Sequence, residues 1–329
     1  MIIESAFRPA WWLANPHAQT IYPTLARRVM PPISRVERLD LPDGDFIELA
    51  WGDKGLKSNV PLVILLHGLG GSAYSTYIAG LMQAVNQQGY RAVVMLFRGA
   101  GSEPNRLPRA YHSGETSDLN WVLNLLAERE PDSPKAAVGI SLGGNVLLKW
   151  LGEQSNQSIL QSGVAVSVPF KLQLAADKMN QGFARLYQAY LLREMRRVFS
   201  QKLALGGRYQ LPPTLSEVNT LRCFWTFDDK VTAPLHGFQN VHEYYREASS
   251  AQYLCKIKTP TLIIHAIDDP FMTPEVVPTA DELAPEVTLE LSRRGGHVGF
   301  IGGQVPGSPS YWLDHRVPEY LQLIFKDYS

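Results

Sequence analysis

Apolar positions in this chain follow two textures that alternate from Pro61 onward. Unbroken apolar runs, Leu62-Val63-Ile64-Leu65-Leu66 and Ala92-Val93-Val94-Met95-Leu96-Phe97, are what strands covered on both faces of a parallel sheet require. Between and after them, apolar residues recur every three or four positions: Ile78, Leu81, Met82 and Val85, then Leu119, Val122, Leu123 and Leu126. That spacing predicts amphipathic helices. Ala136-Ala137-Val138 and Val164 to Val168 continue the strand series, with Val146, Leu147, Trp150 and Leu151 marking a helix between them. The pattern resumes with strands at Thr261 to Ala266 and Val287 to Leu291 and a terminal helix near Val317 to Phe325. Strands alternating with helices at this spacing imply right-handed crossovers and a mostly parallel sheet with helices on both faces.

Two segments depart from this alternation. Upstream, Arg35 to Leu41 and Phe46 to Trp51 flank Pro42-Asp43-Gly44-Asp45, which predicts an antiparallel hairpin. A proline-punctuated arm precedes it, expected to be irregular or briefly helical around Asn15-Pro16-His17-Ala18-Gln19-Thr20. Between about 170 and 250 the chain reads as helices and loops, with Phe183, Leu186, Tyr187, Tyr190 and Leu191 on one face and Arg185, Arg193, Arg196 and Arg197 interspersed. A basic, aromatic helix of this kind suits a membrane surface. It equally suits a cap over the sheet's functional edge with its arginines in solvent, and the cap is the preferred reading because a pocket needs a wall. The expected organisation is one α/β domain over 1–329 with a helical cap inserted at 170–250.

Composition narrows the function classes. A chain of 329 residues can bury a sizeable core in one large domain. Lys plus Arg balance Asp plus Glu at 31 each, so no global charge favours nucleic acid as a partner. Cys223 and Cys255 lack C-x-x-C spacing and read as two reduced thiols. Glu4 and Arg8 interrupt the first thirteen residues, which therefore lack the form of a secretory signal, and no run of about twenty apolar residues predicts a membrane span. A cytoplasmic protein is expected; peripheral membrane contact stays open, and nothing here bears on oligomeric state.

The chemistry centres on Gly139-Ile140-Ser141-Leu142-Gly143, a G-x-S-x-G elbow between a strand run and a helix run. Glycines on both sides of the serine avoid collisions where the strand folds back into the helix. A serine hydroxyl needs a base, and the base needs an orienting group. The strand Thr261 to Ala266 runs into Asp268-Asp269-Pro270-Phe271, and Val287 to Leu291 runs into Gly295-Gly296-His297. Taken singly, each is also an ordinary turn or loop. Together they follow the order serine, acid, histidine at strand ends that share one edge of a parallel sheet. Of the two aspartates, Asp269 is assigned to the imidazole because it lies further past the strand end, leaving Asp268 to hold the turn. Backbone N–H groups of Leu142 and of Leu69, in His67-Gly68-Leu69-Gly70-Gly71, are assigned to the developing oxyanion.

The same glycine-rich loop supports a rival. Gly68-Leu69-Gly70-Gly71-Ser72-Ala73 fits G-x-G-x-x-A between a strand and a helix, and Arg98 beyond the next strand suits a 2′-phosphate, as in an NADP-type dinucleotide site. That reading leaves Ser141, Asp269 and His297 without a role. His17, His112, His236, His242 and His315 lack metal-ligand spacing.

Collectively these residues resemble the α/β-hydrolase superfamily and, within it, the YheT-like branch related to ABHD-type lipid esterases and acyltransferases. The resemblance runs from Asn15 and Gln19-Thr20 through His67-Gly68, Phe97-Arg98-Gly99, Glu103-Pro104-Asn105 and the elbow. It continues at Asp228, Gly237-Phe238, Glu243-Tyr244-Tyr245, Asp268 to Phe271 and Gly295-Gly296-His297. The stretch from Asp228 to Tyr245 is its most branch-specific part. The resemblance implies an α/β-hydrolase fold and a serine, aspartate and histidine triad without cofactor or metal, matched here by Ser141, Asp269 and His297. The expected activity is hydrolysis of a small-molecule, lipid-like carboxylic ester with an apolar acyl chain. Acyl transfer or thioester hydrolysis on the same triad, and a catalytically silent binding module, are the alternatives.

Overall fold

A computed structural model describes residues 1–204 and 214–326. The stretch 205–213 of the expected cap and the last three residues, 327–329, lie outside the described residues. The strands are β1 (Ile2–Glu4), β2 (Arg35–Asp40), β3 (Phe46–Gly52), β4 (Leu62–Leu66), β5 (Arg91–Leu96), β6 (Lys135–Ile140), β7 (Ser162–Val166), β8 (Thr261–Ala266) and β9 (Val287–Ser292). They form one 9-stranded sheet in the order β1-β9-β8-β7-β6-β4-β5-β3-β2. The hairpin forms as its Pro-Asp-Gly turn demands, with Asp40 opposite Phe46, and β3 continues antiparallel onto β5. The remaining pairings are parallel.

Successive strand side chains point to opposite faces, so one apolar run feeds two cores. On one face Leu62, Ile64 and Leu66 meet α3 (Ser117–Arg129) and α4 (Leu142–Gln154) through Leu119, Val122, Val146 and Leu147. On the other, Val63 and Leu65 meet α2 (Thr76–Gln87) and the terminal helix Leu313–Phe325 through Ile78, Leu81, Val317 and Leu321. Helices on both faces leave the carboxyl ends of the parallel strands as the open edge.

One strand departs from the sequence reading. β1 has three exposed residues, too short to carry an apolar pattern, yet it adds a parallel edge strand to β9. The arm folds as α1 (Pro16–Ala26), with Asn15 as its N-cap accepting from the N–H groups of His17 and Ala18, and Pro16 at the first helical position. Between β7 and β8 run α5 (Leu172–Met179), α6 (Ala184–Ala204) and shorter helices including Val241–Ala248. In α6 the buried stripe is Ala184, Gln188, Leu192 and Phe199, while Leu186 and Tyr190, like Phe183 just ahead of the helix, stay exposed. Leu192 and Phe199 meet Phe227 and Val231, while Tyr187, on the aromatic face, packs against Phe271.

Candidate active site

The elbow is strained where the motif requires it. Ser141 has φ 53° and ψ −115°, a region that L-residues avoid unless the surroundings enforce it. A Cβ on Gly139 would stand 2.4 Å from Gly143 O, and one on Gly143 would stand 2.5 Å from Leu66 O. Only glycine fits either position. One turn into α4, fully buried Asn145 donates to Ser113 O (2.8 Å) and Ala248 O (2.7 Å) and accepts from Ser250 N–H (3.0 Å), tying the elbow helix to the segments above it.

Beyond β8 and β9 an aspartate and a histidine approach the serine. His297 Nε2 lies 3.0 Å from Ser141 Oγ, and His297 Nδ1 lies 2.8 Å from Asp269 Oδ2. Asp269 is buried, and its other oxygen accepts from Phe271 N–H at 2.9 Å. Asp268 instead accepts from Gly296 N–H at 3.0 Å, which holds the histidine turn; burial raises its carboxyl above the ordinary value. Phe271 stacks on the imidazole, ring centroids 3.9 Å apart and planes within 9°. The arm completes the arrangement: His297 N–H donates to Thr20 Oγ1 at 2.9 Å, and a Cβ on Gly296 would meet Pro16 O at 2.5 Å.

The loop after β4 is held by two tyrosines. Gly68 N–H donates to the Tyr77 hydroxyl (3.1 Å) and Gly70 N–H to the Tyr111 hydroxyl (2.9 Å). Between them, Leu69 N–H has no partner among the described residues. Leu142 N–H, at the first position of α4, has no intrahelical acceptor either. Beneath the loop, His67 is wholly buried, with Nδ1 at 2.8 Å from Gly68 O and Nε2 accepting from Phe97 N–H at 3.3 Å; burial lowers its pKa to about 4, so the ring is neutral.

These facts correct the dinucleotide alternative. Arg98 is buried and bidentate to Asp118 (2.6 and 2.7 Å), with Asp45 at 2.9 Å and Asp43 at 2.7 Å. Asp43 and Asp45 belong to the hairpin turn, so Arg98 cross-links the hairpin to α3 and has no donor set left for a phosphate. Two glycine N–H groups that a pyrophosphate would need are occupied by tyrosines. The small loop serves close packing around the elbow instead.

Ser141 and His297 open onto a cavity of about 550 Å³ whose wall includes Leu172, Ala176, Met179, Tyr187, Leu191 and Met195 from α5 and α6. The volume and the apolar wall suit a small-molecule ligand. Sequence reasoning did not single out Tyr77, Tyr111 or Asn145. Each acts through partners that no local pattern places beside it.

The comparisons with known proteins bear on the family and the fold. The family model for the alpha/beta hydrolase fold matches residues 61–304. YheT of Escherichia coli (strain K12), provisionally named an esterase, is 43% identical over 97% of this chain and 93% of its own length. Human phospholipase ABHD3 is 27% identical over 98% of this chain and 80% of its own. Among solved structures, the Pyrococcus furiosus esterase Pf2001 superposes with a TM-score of 0.55 at 16% identity, covering 89% of this chain and 92% of that one. Its likeness is one of fold. With a strained G-x-S-x-G turn at a strand-helix junction, a family match across most of its length and a relative at 43% identity, this chain belongs to the alpha/beta hydrolase family.

Proposed function

We propose that this protein is a serine hydrolase of carboxylic esters whose catalytic residues are Ser141, His297 and Asp269. The observation that carries the reading is the unbroken line from Ser141 Oγ to His297 Nε2 (3.0 Å) and from His297 Nδ1 to Asp269 Oδ2 (2.8 Å). Because Nδ1 faces a carboxylate, it carries the proton, which leaves Nε2 as the base facing the hydroxyl. Ser141 Oγ attacks the acyl carbon while its proton passes to Nε2. The resulting oxyanion accepts from the N–H groups of Leu69 and Leu142, and Nε2 then protonates the departing alcohol. Water, activated in its turn by His297, opens the acyl-enzyme and restores Ser141.

Family relatives named esterase, phospholipase and, in Saccharomyces cerevisiae, monoacylglycerol lipase support an ester with an apolar acyl chain. The aliphatic wall supplied by α5 and α6 supports the same choice, with the segment at 170–250 acting as the cap. No helix among the described residues is long and apolar enough to cross a membrane. Free Cys223 and Cys255 suit a reducing compartment, so the proposal sets the enzyme in the cytoplasm. The test is covalent labelling by a fluorophosphonate together with turnover of acyl esters of graded length. Labelling of the wild type that vanishes in Ser141→Ala, with longer esters preferred over acetyl, is the expected result. Labelling that survives the substitution would overturn the nucleophile assignment.

A further inference from the structure

The cavity wall contains an acid that ester cleavage at Ser141 does not use. Asp228 lies in that wall, at the start of a π-helical turn, Asp228–Thr232, between the short helices Phe224–Phe227 and Ala233–Leu235. Single π turns recur at functional sites, where the extra residue re-aims side chains. Each carboxyl oxygen of Asp228 accepts one hydroxyl, from Thr232 at 2.6 Å and from Tyr245 at 2.8 Å. Both donors are neutral, and no cation among the described residues pairs with the group.

A carboxylate offers about four acceptor sites, of which two are filled here. Burial raises the carboxyl to about 6, so at neutral pH it is ionised beside an apolar cavity with its charge uncompensated. A side chain serving only to pin the turn would do so as well without the charge. Tyr244, Tyr245 and Phe224 contribute to the same wall, with the two tyrosine rings 5.4 Å apart. An anion among aromatic rings is the chemistry that recognises an organic cation.

We propose that Asp228, with Tyr244 and Tyr245, forms a subsite for an alkylammonium group carried by the ester substrate. The inference rests on the ester-hydrolase reading and narrows its substrate class to esters bearing a cation.

A matched pair of esters tests it: butyrylcholine against 3,3-dimethylbutyl butyrate, which has the same shape without the charge. For the full-length wild type, kcat/KM is expected to favour the cationic ester by about tenfold or more, the scale of a desolvated cation beside aromatic rings. In Asp228→Asn the ratio should fall toward one. A wild-type ratio near one, or a preference undiminished in the variant, overturns the subsite. A second measurement needs no variant: the Trp225 ring meets Tyr245 edge-on with centroids 5.1 Å apart, so tryptophan fluorescence of the wild type reports binding of choline against 3,3-dimethylbutanol. Choline binding about tenfold tighter supports the subsite, and equal binding overturns it. Failure of the wild type to cleave either ester would count against the hydrolase reading alone, because the titration still decides the subsite.

Discussion

Gln19 pairs with the backbone of Ile301 as a neighbouring strand would. Its Oε1 accepts Ile301 N–H at 2.7 Å and its Nε2 donates to Ile301 O at 2.9 Å, with a second bond from Nε2 to Leu13 O at 2.9 Å. This fully buried side chain fastens the arm to the chain just beyond His297, while Thr20, next along α1, holds His297 N–H itself. The imidazole is therefore aimed by residues from the opposite end of the chain.

Removing that fastening should loosen both fold and site. Gln19→Ala strands an N–H and two carbonyls in a dry setting, at on the order of 1–3 kcal/mol for each unpaired group. The expected outcome is a melting temperature lower by several degrees and a reduced kcat. Thermal unfolding and steady-state kinetics check it, and an unchanged melting temperature would show that the fastening contributes little.

Asp269 and Asp268 are neighbours with different partners, and amide substitutions should separate them. Asp269→Asn leaves a donor opposite His297 Nδ1 and disfavours the tautomer needed at Nε2. The expected loss in kcat is about 10⁴-fold, as seen for the equivalent change in a serine protease. Asp268→Asn keeps an oxygen for Gly296 N–H and should cost less than about tenfold, the worth of a weakened hydrogen bond. Comparable losses in the two variants would contradict the assignment.

The Tyr111 hydroxyl matters through Gly70. Tyr111→Phe keeps the ring stacked on Phe97 but releases Gly70 N–H, so Leu69 N–H loses its fixed aim. A fall in kcat of about tenfold with KM nearly constant is expected, a fraction of the loss on deleting an oxyanion donor. A change confined to KM would argue that Tyr111 shapes the cavity and not the oxyanion loop.

Arg98 is a stability residue. Arg98→Met leaves buried Asp45 and Asp118 without their cation, at a cost of about 3–5 kcal/mol. Urea unfolding should register most of that loss, and an undiminished midpoint would refute the cross-link.

Acid should weaken the fold below pH 6.5. His67 and His265 are buried and their pKa values fall from 6.5 to about 4, so the unfolded chain binds more protons than the folded one between those limits. Stability is full above pH 6.5 and falls as pH drops toward 4, each histidine contributing on the order of 3 kcal/mol over the whole window. Melting temperatures measured from pH 7 to pH 4 should fall. His67→Gln should shallow the slope in proportion if the buried ring is the source.

The elbow, the hairpin and the alternation of β4 to β9 with their helices were legible because each obeys a rule written between near neighbours. Glycines flank Ser141 for steric reasons, a Pro-Asp-Gly turn joins β2 to β3, and apolar periodicity distinguishes strand from helix. Asp268 and Asp269 were visible as a pair, but their division of labour depended on where Gly296 and the imidazole arrive. Which stripe of α6 would be buried was not legible, because two of its stripes are apolar, and Phe227 and Val231 take the one with Leu192 and Phe199.

By itself, then, the sequence determined the strand-helix order, the position of the G-x-S-x-G turn and the short set of polar residues placed at the strand ends beside it. Only the tertiary structure decided that Gln19 and Thr20 steady the histidine loop, that two tyrosine hydroxyls bracket Leu69, and that Arg98 is spent on three carboxylates. The reason is physical. Backbone sterics and hydrophobic periodicity act within a few residues, whereas the partner of a buried hydrogen-bonding group is fixed by how the closed sheet brings distant segments to one edge.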